Sequence, residues 1–154
     1  MLEFGIPALI EVPDDAGLAD VVFSRAAADP SEVMLRRRVA GLWQDVTAGQ
    51  FQADVSELAK GLIAAGIEPG DRVALLSHTR YEWTLADYAI WSAGAVTVPV
   101  YETSSAEQVE WILTDSGARA VIAETDQHVA IIESLRDRLT GPCKWPAVAG
   151  VPHN

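Results

Sequence analysis

Three short stretches of this chain collect side chains that could do chemistry: Ser77-His78-Thr79, Tyr101-Glu102-Thr103-Ser104 and Glu124-Thr125. Each closes an apolar run and opens an amphipathic one, so each falls where a strand hands over to a helix. Free N–H groups and the helix dipole at such a point can hold an anion. The same hydroxyls also serve as ordinary helix caps, and capping accounts for all of them without a ligand. His78 has the chemistry of a general base near neutral pH. Nothing pairs with it in sequence, so a loop-exposed histidine is the simpler reading. His128 and His153 read as surface residues, because no metal-ligand spacing surrounds them.

Other candidates are thin. No Walker A pattern and no G-x-G-x-x-G follows an apolar run, which removes the ordinary nucleotide-binding loops. Of the five tryptophans, Trp83 and Trp91 lie eight apart on one predicted helix and Trp111 lies on the next. Packing between helices is the expected role, and an acyl-chain groove is the weaker alternative.

The elements that must position these residues are legible. Pro69-Gly70-Asp71 is a turn signal. Val73 to Leu76 is a continuous apolar run, as in a strand covered on both faces. Thr79 with Glu82 fits a capping box, Trp83, Ala86, Ile90 and Ala93 make one apolar stripe, and Gly94 supplies the stop. Val96, Val98 and Val100 form a second strand. This strand–helix–strand unit requires parallel strands and a right-handed crossover. The cycle repeats with Ser104 and Glu107 as caps, Val109, Ile112 and Leu113 as the buried stripe, a stop at Gly117, a strand over Ala120–Ala123, and a last helix capped by Thr125 or Asp126.

Upstream, Leu18 to Ala28 reads as a short docking helix with Leu18, Val21, Val22 and Ala26 on one face. Val33–Val39 and Leu42–Val46 form a hairpin around Ala40-Gly41, although such turns prefer Asn or Asp where Ala40 stands. Arg36-Arg37-Arg38 on that edge reads as a solvated run that discourages edge pairing. Thr47 with Gln50 caps a helix whose stripe is Phe51, Val55, Leu58, Ala59, Leu62 and Ile63. Strands alternating with capped helices predict an α/β fold, a mostly parallel sheet with helices on both faces plus an N-terminal β-hairpin.

Composition narrows the function classes. A length of 154 residues with 49% hydrophobic content fills one core. A formal charge of -11 argues against nucleic acid and anionic membranes as partners. The lone Cys143 forms no internal disulfide, and MLEFGIPALIEV has no basic leader region, so a cytoplasmic protein without a membrane span is expected.

The pattern GI-x-PGDRVAL, then YEW-x-x-x-D-x-AI-x-x-AGAVTVPVYETSSAEQVEWIL-x-DSGA, resembles the N-terminal region of the adenylate-forming (AMP-binding) acyl-CoA synthetases, above all bacterial long-chain fatty acid–CoA ligases. The resemblance runs from about Val12 to Leu139. It implies ATP-dependent activation of a fatty acid to an acyl-adenylate, then thioester formation with CoA, with ATP, Mg2+ and CoA as the full-length family's cofactors and partners. It also implies a Ser/Thr/Gly-rich phosphate loop ending in lysine. Ser116-Gly117 is the nearest echo and has no lysine. Lys60, on a helix face, and Lys144, in the irregular tail, match neither that lysine nor the family's later catalytic one. No catalytic, cofactor-binding or metal residue is therefore carried over. Residues 1–139 are expected to be part of the large ligase domain and 140–154 an unrelated tail, in a truncated or frameshifted product that binds no cofactor alone. Self-association through the unfinished sheet edge is the non-enzymatic alternative, and another adenylate-forming specificity is a third.

Overall fold

A computed structural model describes Pro13 and residues 16–139 of the chain. The segment from Thr140 onward, with Cys143, Lys144 and His153, lies outside the described residues. The order is α1 (Asp20–Ala28), β1 (Val33–Val39), β2 (Leu42–Thr47), α2 (Ala48–Ala64), β3 (Arg72–Leu76), α3 (Tyr81–Ser92), β4 (Val96–Val100), α4 (Ala106–Ser116), β5 (Ala120–Ala123) and α5 (Asp126–Ser134).

β1 and β2 form the antiparallel hairpin. Its turn carries positive φ at both central residues, 49° at Ala40 and 80° at Gly41, as two-residue turns between twisted strands require. Ala40 adopts this conformation despite its Cβ. α2 is capped as its sequence predicts: Thr47 Oγ1 accepts the Gln50 N–H while Gln50 Oε1 accepts the Thr47 N–H. Phe51, fully buried on this helix, receives Tyr81 and Tyr88 edge-on at 6.0 and 5.6 Å between ring centres.

β3 is the middle strand of a parallel sheet in the order β4-β3-β5. α2 and α3 pack Leu62, Ala89, Ile90 and Ala93 against Val73 and Ala120 on one face. α4 and α5 pack Val109, Leu113, Ile132 and Leu135 against Ala74, Leu76, Val121 and Ala123 on the other. The predicted cover on both faces is present. It explains why β3 reads as an unbroken apolar run: both side-chain directions meet helices.

Several expectations need correction. α1 begins at Asp20, and of its predicted stripe only Val22 is buried, with Leu18 71% and Val21 39% exposed. A helix of nine residues with one neighbouring layer buries a line rather than a stripe. Ile63, placed in the α2 stripe, is 55% exposed at the far side of the last turn. The box at α4 is Ser105 with Gln108, one residue later than Ser104 and Glu107; both registers satisfy the sequence rule, and the chain after β4 takes an extra turn residue. Thr79 does not cap α3. The helix starts at Tyr81, its N-cap is Arg80, and no side chain caps it. Trp111, expected in packing between helices, is 66% exposed. Trp91 stands edge-on to Tyr88 at 5.2 Å, a contact within α3 and not between helices.

Candidate functional site: the crevice between β3 and β5

In open α/β sheets ligands bind beyond the carboxyl ends of the strands, where successive connections leave on opposite faces. Here that place lies between β3 and β5. α3 leaves the end of β3 toward one face, and α5 leaves the end of β5 toward the other. Ser77 and His78 at the first end and Glu124 at the second therefore meet although 46 residues separate His78 from Glu124.

Glu124 is the hub. Its side chain is 7% exposed, and its Oε2 accepts the His78 N–H at 2.8 Å, the His78 ring at 2.9 Å and the Ser77 hydroxyl at 3.1 Å. Its Oε1 accepts Arg80 Nη1 at 2.9 Å. Burial pushes the Glu124 carboxyl up, but the donors from His78, Arg80 and Ser77 outweigh it and hold the group down at about 2. A carboxylate so saturated is a brace and a poor proton acceptor. Because it can only accept, the bonded His78 Nδ1 carries the proton. In the neutral ring the other nitrogen, Nε2, is then the acceptor, on a side chain that is 59% exposed. That is the arrangement of a carboxylate-oriented imidazole base. Ser77 is no partner for such a base, since its hydroxyl turns to Glu124 and to the His78 carbonyl.

Arg80 bridges the brace to α3. Its Nε bonds Glu82 Oε2 while its Nη1 bonds Glu124, and Glu82 first and burial against it set a guanidinium held above its usual range. This pull explains the missing cap at α3: Glu82 is drawn to Arg80 and away from the backbone, and Arg80 occupies the position a hydroxyl would need. His128 completes the rim. Expected at the surface, it is 6% exposed, with Nε2 3.3 Å from the Glu102 carbonyl and its ring 6.3 Å from that of His78. Its buried Nδ1 has no partner within the described residues.

The structure thus brings together Ser77, His78 and Glu124 from the predicted set. It leaves Tyr101 81% exposed and outside the crevice, and assigns Thr125 to capping α5 through the His128 N–H. Capping does not account for Ser77, which spends its hydroxyl on Glu124. Sequence reasoning missed Arg80, Glu82 and the burial of His128. The available signal was a charged residue at each strand end, since an unpaired charge is rare where backbone enters a core. No group of three or more metal-ligating side chains suited to an ion occurs among the described residues, and no helix there is long and apolar enough to cross a membrane.

Comparison with known proteins fixes the lineage. A family model described as AMP-binding enzyme matches residues 22–146. The chain belongs to the AMP-binding enzyme family. Among AMP-binding relatives, it is similar to the long-chain-fatty-acid–CoA ligase FadD15 of Mycobacterium bovis and of Mycobacterium tuberculosis, each 45% identical over 135 residues, 88% of this chain. The chain spans 22% of the length of those relatives. A structure from Rhodopseudomonas palustris assigned as a long-chain-fatty-acid CoA ligase superposes with a TM-score of 0.77 at 30% identity, covering 92% of this chain and 34% of that one. The N-terminal domain of FACL13 from Mycobacterium tuberculosis superposes with a TM-score of 0.67 at 28% identity, covering 86% of this chain and 33% of its own. The α/β architecture is therefore that of an adenylate-forming ligase N-terminal domain.

ATP, Mg2+ and CoA belong to the full family enzyme. The crevice residues described here do not fit a triphosphate or its metal. Arg80 is already neutralised by Glu82 and Glu124, and Glu124 has its acceptor sites filled by donors.

Proposed function

We propose that this chain is the opening segment of the large domain of a long-chain fatty acid–CoA ligase, in a cytoplasmic pathway of fatty acid metabolism. The whole enzyme would activate a fatty acid with ATP and Mg2+ to the acyl-adenylate and pass the acyl group to CoA. Residues 1–139 would be the chain's part of that domain and residues 140–154 a tail unrelated to it. The observation that carries this reading is the 45% identity to FadD15 across 88% of the chain. In that role residues 16–139 form a scaffold. The Glu124 brace locks β5 to β3 and fixes the crevice floor, while the charges that neutralise pyrophosphate come from elsewhere in the ligase.

Purified chain incubated with ATP, labelled pyrophosphate and palmitate is expected to show no exchange above a heat-killed control. Exchange above that control would remove the scaffold reading.

A second reading has one observation behind it. Tyr101 and Trp111 are exposed at 81% and 66%, and with Ser104, Gln108 and Ile112 they line a groove of about 420 Å³ beside the free edge of β4. Such apolar surface supports self-association. Sedimentation over a hundredfold range of protein concentration would show a dimer growing in with concentration. A constant monomer mass rejects it.

A further inference from the structure

The arginine run on β1 does not behave as one solvated face. Alternation along the strand turns Arg36 and Arg38 outward, and both are exposed, whereas Arg37 points toward the body of the protein and is half-buried. Its guanidinium carbon stands 4.9 Å over the Tyr81 ring. Its Nε is buried with no partner. Arg36 pairs with Asp45, Arg38 bonds the Gly41 carbonyl, and Arg80 is shared by Glu82 and Glu124. Arg37 alone of these four has no hydrogen bond or ion pair within the described residues.

These arginines line one cavity of about 500 Å³ between the hairpin and the start of α3. Glu82 is the carboxylate among its described lining residues, and Arg36 and Arg80 are already paired with Asp45, Glu82 and Glu124, so the positive charge left open in the cavity is that of Arg37, with Arg38 beside it. Leu35 and Val39, on the same strand face as Arg37, and Trp43, opposite Arg38 on the partner strand, give the cavity its apolar lining. A half-buried guanidinium whose Nε has lost water without gaining an acceptor leaves hydrogen-bonding capacity unused. Planar guanidinium favours carboxylate or phosphate over other acceptors.

We propose that this cavity binds an amphiphilic anion, a carboxylate or phosphate on an apolar body, with Arg37 receiving the charge and Leu35, Val39 and Trp43 the body. The site stands independently of the ligase reading, since neither the crevice nor adenylation enters it.

The test titrates the full chain with octanoate, octyl phosphate and inorganic phosphate, followed by calorimetry and tryptophan fluorescence. Octanoate and octyl phosphate are expected to bind saturably, with the tighter of the two identifying the head group. Inorganic phosphate should be at least about tenfold weaker, because it lacks the apolar body. Arg37→Gln should weaken both octyl probes by about tenfold or more. Trp43→Ser should weaken them without affecting inorganic phosphate. Arg25→Gln, which removes a surface cation paired with Glu32, should change nothing. No saturable binding, or equal binding by wild type and Arg37→Gln, overturns the proposal. Should Arg37→Gln not fold, Arg37→Lys and a salt titration decide: affinity that falls with salt supports the site, and affinity indifferent to salt removes it.

Discussion

The two flanks of β3 are built by different means. On the β5 side the strands are clamped at both ends. At the start, Arg72 sends Nε to the Ser116 carbonyl at 2.8 Å and Nη2 to the Gly117 carbonyl at 3.0 Å, and its own carbonyl takes the Arg119 N–H at 2.7 Å. At the finish, Glu124 gathers Ser77, His78 and Arg80. On the β4 side the backbone ladder is as regular, but among the described residues no side-chain clamp joins the strands. Val96 is 50% exposed on the outer edge, and Asp87 of α3, buried, lies near the half-buried Thr97 of β4, whose hydroxyl acts on the carboxyl while Asp87 Oδ1 and Thr97 Oγ1 make no well-formed hydrogen bond. Both outer strands are edges of the described sheet, but only the β5 flank is tied to β3 by side chains at its two ends.

That contrast can be broken or sharpened by substitution. Leu76, 1% exposed at the end of β3, packs into the α4–α5 side of the core. Leu76→Ala should lower the unfolding free energy by about 3 kcal/mol in urea titration, whereas Val96→Ala on the open flank should cost under about 1 kcal/mol. Equal costs would show that the flanks do not differ.

Glu124→Gln should cost about 2 kcal/mol near pH 7, because Arg80 and the His78 N–H lose their anion. The pH dependence has a definite sign. Glu124 titrates lower folded, at about 2, than unfolded, near the ordinary 4.5. Its contribution is therefore full above about 4.5 and is lost as pH falls toward 2. Melting temperatures should fall more steeply over that window in wild type than in Glu124→Gln; parallel curves would show that the brace is not a charge effect.

Gly117 ends α4 in the left-handed region at φ 61°, and a Cβ there would lie 2.9 Å from Arg72 Nη2. Gly117→Ala should cost about 1 kcal/mol or more by strain and by loosening the Arg72 clamp. A neutral result in chemical denaturation would mean that the amino end of this flank is not held by that contact.

On the open flank the sign reverses. Burial pushes the Asp87 carboxyl up, and the Thr97 hydroxyl only partly opposes it. Such a group favours folding in acid and works against it as pH rises through its folded pKa. Asp87→Asn should therefore stabilise the protein at pH 7 by about 1 kcal/mol and lose that advantage below pH 4. Destabilisation at pH 7 would reveal a partner for the carboxylate. The smallest effect belongs to Trp111→Ser, which should move unfolding by under about 0.5 kcal/mol at this exposed position; a larger change would mean that the aromatic already packs against something.

Local rules carried much of the fold. A pairing three residues apart marked the cap of α2, a hydroxyl or carboxylate just after the strand marked that of α5, glycine marked the end of α4, and a β-branched or apolar run marked each strand of the parallel sheet. They erred where two registers satisfied the same rule, as at Ser104 and Ser105, and where a competing partner intervened, as at Thr79 and Glu82. The crevice was half legible. Ser77, His78 and Glu124 could be named because strand ends are predictable places. Their convergence on one carboxylate could not, since strand order is not written in any single segment.

What the sequence by itself determined is periodicity, chain turns and lineage, all of which depend on neighbours a few residues apart or on a pattern shared along the chain. Tertiary structure alone decided that β3 lies in the middle, that His128 is buried, that Arg37 stands over Tyr81 without a carboxylate, and that Arg80 serves Glu124 in place of a helix cap. The reason is physical: burial and ion pairing are set by which distant segments the sheet order brings within about 3 Å, and that distance has no local signature.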